Sequence, residues 1–105
     1  MDIQELTDKM DALVEAKGWY APGSAKPQSV RSLAISLAIE AAEVLEQVQW
    51  REAPARKEAL ADELADVALY LLQLAHIAEI DLEAAILAKL ARNHQRNWDE
   101  DDDES

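Results

Sequence analysis

The sequence predicts an all-α protein, a four-helix-bundle-like domain, and three observations carry that prediction. Twenty of its 105 residues are alanine, while glycine occurs twice and phenylalanine not at all; alanine and leucine favour helix, and few β-branched or aromatic residues are present to line a sheet. Apolar residues recur at three- and four-residue spacing in four segments, the period of a helix with one buried face. Between the segments stand the expected punctuation marks: Asp2, Gly18, Pro22-Gly23, Pro27, Ser29, Pro54 and Asp81. A core so poor in large side chains is thin for a monomer of this length, so a homo-oligomer, dimer or tetramer, is expected.

Taken in order, the first helix is expected from Asp2 to Lys17. Asp2 caps it, Glu5 completes a capping-box-like pattern, and Ile3, Leu6, Met10, Leu13 and Val14 form its apolar face. Gly18 ends it. Trp19 to Gln28 holds two prolines and a glycine without periodicity and reads as a loop, opened by two adjacent aromatics. Ser29 caps a second helix expected to reach about Arg51. Pro54 suits the first turn of a third, with Ala55 to Ala78 as its body. Asp81 caps a fourth, from Leu82 to about Asn97, whose face Leu82, Ile86, Lys89, Asn93, Arg96 begins apolar and ends polar. Short links favour antiparallel neighbours among the second, third and fourth helices. Residues 1–98 are expected to form one domain and 99–105 an acidic, disordered tail.

Composition excludes several classes of function. With no cysteine, disulfide frameworks and zinc-thiolate sites are impossible. No basic segment followed by an apolar run opens the chain, and the uncharged stretch Val67 to Ala78 is far shorter than the ~20 residues of a membrane-spanning helix, so a cytoplasmic soluble protein is the expectation. The net charge of −12, half of it from the six acids between Asp99 and Glu104, should repel a nucleic-acid backbone.

The chemistry lies in two acidic pairs, Glu40-Ala-Ala-Glu43 and Glu63-Leu-Ala-Asp66, with nineteen residues between Glu43 and Glu63. Spacing of three places each pair on one helix face. Glu40 interrupts the stripe Leu33, Leu37, Val44, Gln47; Glu63 interrupts Leu60, Val67, Tyr70, Leu74, Ile77. A carboxylate enters an apolar stripe when it is paired or binds a cation. Two helices packed through these stripes would gather up to four carboxylates, whose repulsion calls for a divalent ion. An all-oxygen donor set suits Mg²⁺ or Mn²⁺ rather than zinc. A di-iron bundle would need Glu-x-x-His, and the chain offers only the reversed His76-Ile-Ala-Glu79, two or more turns from the acids. Mg²⁺ on carboxylates meets substrate phosphates, and Lys89, Asn93 and Arg96 would supply a cation and an amide to hold them. Against this stands the reading of solvated acids on a non-catalytic helical assembly module.

The paired acids resemble the signature of the all-α nucleoside triphosphate pyrophosphohydrolases, the MazG-like group, nearest its small dCTP-pyrophosphatase-like branch. Trp50 after the first pair, Tyr70 one turn after Asp66, the Lys89-x-x-x-Asn93 helix and Trp19 ahead of the first acidic helix extend the likeness. The resemblance implies Mg²⁺-dependent cleavage of a (deoxy)nucleoside triphosphate to monophosphate and pyrophosphate, with nucleotide-pool cleansing as the usual role. It implies Glu40, Glu43, Glu63 and Asp66 as metal ligands or the base that orients water. Lys89, Asn93 and Arg96 become phosphate or sugar contacts, and Trp19 and Trp50 stacking surfaces for the base, with Tyr70 beside the substrate. A dUTP- or phosphoribosyl-ATP-specific enzyme of the same fold is the sibling alternative. Arg96-Asn97-Trp98-Asp99 departs from the Arg/Lys-Tyr-Pro that often ends the family's fourth helix.

Overall fold

The computed structural model describes residues 1–95 and, among them, contains four helices and no strand. They are α1 (Ile3–Ala16), α2 (Val30–Glu46), α3 (Lys57–Ile77) and α4 (Leu82–Gln95). The tail 99–105, Arg96 and Trp98 lie outside the described residues.

The Asp2 carboxylate accepts the Glu5 amide at 2.9 Å and starts α1. At its other end Gly18 takes φ +72, which lets the Gly18 and Trp19 amides reach back to the Glu15 and Val14 carbonyls at 3.0 and 3.2 Å. This double bond is a Schellman closure, and it turns Trp19 and Tyr20 back onto the helices. Met10 and Val14 of α1 are buried with Leu72 of α3, flanked by Ile3, Trp19, Tyr20 and Leu82.

Ser29 and Ser32 cap α2 reciprocally: each hydroxyl accepts the other residue's backbone amide at 3.0 Å. Helix α2 closes at Glu46, short of the expected Arg51, through three-residue bonds from Gln47 to Val44 and from Val48 to Leu45. Residues 49–53 are exposed, so further helix there would bury nothing to offset its ordering cost. Pro54 likewise stands outside α3 rather than in its first turn. The helix starts three residues later, behind an extended Arg56 that makes no side-chain cap.

Helix α3 ends as α1 does, with Glu79 and Ile80 donating to the His76 and Ala75 carbonyls at 3.1 and 2.8 Å. Here a glutamate, not a glycine, holds φ +58. Asp81 caps α4 by accepting the Ala84 amide at 3.0 Å.

Helix α3 is the centre of the arrangement, packed by α2 along one side and α1 along another. The predicted stripes are the faces that meet: Leu33, Leu37, Glu40, Val44 and Gln47 on α2, and Leu60, Glu63, Val67, Tyr70, Leu74 and Ile77 on α3, are buried or half-buried. The fourth helix departs from expectation, making only marginal contact with the others and burying no residue completely. Its half-buried positions Leu82, Lys89 and Asn93 nonetheless lie on the predicted face. No helix among the described residues is long and apolar enough to cross a membrane.

Candidate metal centre and the adjoining pocket

Because α2 and α3 run antiparallel, the middle of one meets the middle of the other. Carboxylate oxygens of Glu40, Glu43 and Glu63 lie within 4.8 Å of one another. Asp66 is half-buried one turn along α3 and contributes to the field on both Glu40 and Glu63, although it is not one of the three in closest contact. Thus the four acids singled out by spacing share one face-to-face neighbourhood.

The electrostatics of the cluster follow from proximity. The hydrogen bond with Glu43 comes first in pushing Glu63 up to about 7, followed by burial and the charges of Glu43, Glu40 and Asp66. Glu40 is raised too, first by burial, then by Glu43 and Asp66, with its hydrogen bond to Glu63 acting the other way. One oxygen each of Glu40 and Glu63 is shut off from solvent with no hydrogen-bond partner. Such atoms are costly to leave bare. Three converging carboxylates with two orphaned oxygens fit a hard divalent cation such as Mg²⁺ or Mn²⁺.

One turn beyond the acids, in the direction of the α2 N-terminus, Trp19, Lys26, Pro27 and Gln28 of the loop join α2 and α3 in lining a partly open cavity of about 370 Å³. Trp19 and Tyr70 are two of its walls, with the Lys26 ammonium 4.9 Å from the centre of the Trp19 ring. Lys26, Gln28, Ser32, Ser36 and Gln73 supply its polar side chains. Sequence patterning did not single out Gln73 or Gln28. A signal for Gln73 exists, since it breaks the run Leu71-Leu72-Gln73-Leu74, and a buried polar side chain is more informative than an apolar one.

The other candidates are placed less centrally. Trp50 follows the end of α2, is 88% exposed and is not part of this wall. Lys89 is half-buried and engaged; Asn93 is half-buried, its Oδ1 shut off without a hydrogen-bond partner. Arg96 lies outside the described residues. His76 faces Asp11 of α1 at 3.4 Å. Near that pair, burial and Asp11 push the Tyr20 hydroxyl up to about 12, although it closes no well-formed hydrogen bond.

Comparison with known proteins bears on this arrangement directly. Residues 35–105 match the MazG-like family. The rat and human proteins named dCTP pyrophosphatase 1 are each 35% identical to the chain, in alignments covering 63% of it. The chain spans only 44% of the length of these curated relatives. A solved pyrophosphatase from Archaeoglobus fulgidus superposes with a TM-score of 0.75 at 33% identity, covering 89% of each chain. With the family match extending over the greater part of its length and the paired acids brought face to face, the chain belongs to the MazG-like family.

Proposed function

We propose that the chain is a nucleoside triphosphate pyrophosphohydrolase, cleaving a (deoxy)nucleoside triphosphate to its monophosphate and pyrophosphate with Mg²⁺, or Mn²⁺ in its place. The observation that carries this reading is the convergence of Glu40, Glu43 and Glu63, with Asp66 adjoining, beside a cavity walled by two aromatics. The names of the relatives, dCTP pyrophosphatase and pyrophosphatase, support the same class of reaction.

Glu40, Glu43, Glu63 and Asp66 would hold the ion. When bound, a divalent cation supplies charge neutralisation for a triphosphate that an acidic protein would otherwise repel. Carboxylate oxygens not engaged by the ion orient the attacking water and accept its proton. Trp19 and Tyr70 hold the base; a cavity of about 370 Å³ falls in the range of small-ligand sites. Trp50 is the second stacking candidate, its exposed face open to substrate or to another copy. Lys89 and Asn93, with Arg96 beyond them, contact phosphate or sugar. The role that fits is clearance of unwanted nucleotides from the cytoplasmic pool.

The active species is a homodimer or homotetramer. Supporting this, Leu6, Leu13, Ile39, Leu45, Leu64 and Leu90 are each more than two-fifths exposed, apolar side chains that a second copy could cover.

A panel of nucleoside triphosphates, assayed with and without Mg²⁺ and with product analysis, tests the reaction. Monophosphate and pyrophosphate appearing only with the ion are expected. Release of orthophosphate, or no turnover of any triphosphate, would contradict it.

A further inference from the structure

We infer that Tyr20 is a positioning residue for the nucleotide: its hydroxyl bonds to Asp11 of α1 as a base seats against Trp19, and that bond fastens the loop beside the cavity. This rests on the proposed reaction and deepens it, naming a residue that acts on substrate through its neighbour.

Two points join the loop to the helices. At its far end Gln73 Nε2 of α3 donates to Gln28 Oε1, and Gln28 Nε2 donates to the Lys26 carbonyl. At its near end stands Tyr20, next to Trp19 in sequence and packed with it against Met10, Val14 and Leu72. The first tie is made and the second is not. Asp11 and Gln73 lie beside the Tyr20 hydroxyl, yet that hydroxyl and Asp11 Oδ1 are both shut off from solvent without a hydrogen bond. A buried donor and a buried acceptor left unbonded side by side carry a cost that a small movement would remove. Burial and Asp11 push the hydroxyl up to about 12, so it keeps its proton and donates throughout the neutral range.

Tyr20 is the member of this group with room to move. Asp11 belongs to α1 and faces His76 of α3 at 3.4 Å; Gln73 belongs to α3, is 4% exposed and is held by Gln28. The loop is less confined. Trp19, Pro27 and Gln28 border both the cavity of about 370 Å³ shared with α2 and α3 and a second of about 400 Å³, lined otherwise by loop residues from Tyr20 to Ser24 and by Ser29. A base between Trp19 and Tyr70 needs contact on both its faces, which draws Trp19 inward and carries Tyr20 with it. Closing the Tyr20–Asp11 bond then recovers the cost of the two unbonded groups. Part of the affinity for nucleotide thus comes from a bond that the nucleotide does not touch.

The test is Tyr20→Phe, which removes the hydroxyl and keeps the ring, assayed with whichever of the four common deoxynucleoside triphosphates the parent hydrolyses fastest. KM should rise about tenfold, the order of one hydrogen bond to a charged acceptor, with kcat within about threefold of the parent's. Without nucleotide the melting temperature should equal the parent's or exceed it, because the hydroxyl removed was unbonded. Inhibition by Mg²⁺-tripolyphosphate, which has the phosphates and no base, should be as strong in the variant as in the parent. Asp11→Asn keeps a weaker, neutral acceptor, so it should raise KM in the same sense by less, and adding it to Tyr20→Phe should raise KM no further. A Tyr20→Phe protein with a lower melting temperature and the parent's KM overturns the assignment. So does a rise in KM matched by equal weakening of tripolyphosphate, which would place the effect at the acids. If Tyr20→Phe does not fold, the KM of Asp11→Asn decides, and a value equal to the parent's overturns the assignment. Failure of the parent to hydrolyse any triphosphate would instead bring down the reaction and this assignment with it.

Discussion

Glu63 concentrates the tension of the site in one side chain. Its carboxyl stands at about 7 in the folded chain against an ordinary 4.5, and Glu40 is displaced in the same direction. Between those two pH values the folded chain keeps a proton that the unfolded chain has released. Stability without metal therefore falls as pH rises through that window. Metal binding has the opposite dependence, since it displaces the proton and strengthens as pH rises towards 7 and above. In EDTA, the parent should lose more melting temperature between about pH 5 and pH 8 than Glu63→Gln does, the variant lacking one of the two carboxyls displaced upward there. Equal slopes for the two would show that Glu63 titrates normally. The same paired spacing that makes Glu63 conspicuous in sequence accounts for its behaviour, because both follow from a carboxylate placed in an apolar stripe. Gln73 is equally conspicuous in principle, but its partner Gln28 is 45 residues away, and only the fold shows that the two meet.

At the scale of elements, helix interiors are legible in the sequence and several ends are not. The stripes of α2 and α3 come directly from periodicity, as do the caps at Asp2, Ser29 and Asp81, each a short side-chain acceptor before an apolar run. The closure of α2 at Glu46 and the late start of α3 have no such mark. They depend on whether the next turn has anything to pack against, which is a property of the assembled helices. The end of α3 gives a clean test. Glu79 occupies the left-handed region at φ +58, whereas Gly18 serves the same closure in α1 at φ +72 without a side-chain penalty. A left-handed non-glycine residue costs about 1–2 kcal/mol. Glycine's extra freedom in the unfolded chain returns about 0.5–1 kcal/mol of that. Glu79→Gly should therefore stabilise the protein by up to about 1 kcal/mol, a few degrees in melting temperature for a domain of this size. A lower melting temperature in the variant would mean that the Glu79 side chain contributes more than its backbone costs.

The whole molecule presents a core concentrated on α3 and an apolar surface out of proportion to it. Met10, Val14, Leu33, Leu72 and Ala75 are its buried apolar residues among those described, against a long series of exposed leucines and isoleucines on all four helices. The alanine-rich composition by itself points to this shortage. What composition does not supply is the position of α4, which has an apolar start, a polar end and little to pack against within one chain. Sedimentation at micromolar concentration should give a species of at least twice the 11.7 kDa chain mass. Replacing Leu87 and Leu90, both 59% exposed on α4, by lysine should shift that equilibrium towards monomer if α4 lies in the interface. A monodisperse monomer of the parent would contradict self-association.

The central claim is that Glu40, Glu43, Glu63 and Asp66 form one divalent-ion site that serves hydrolysis. It is tested most directly by paired melts of the parent and Glu63→Gln, with and without Mg²⁺, beside a pyrophosphate-release assay. Without the ion, removing one of several mutually repelling half-buried charges should leave the variant as stable as the parent or more so. With the ion, the parent should gain stability by linkage and the variant gain less, so the order reverses while pyrophosphate release falls to background. An active Glu63→Gln protein with the parent's full response to Mg²⁺ would contradict the account.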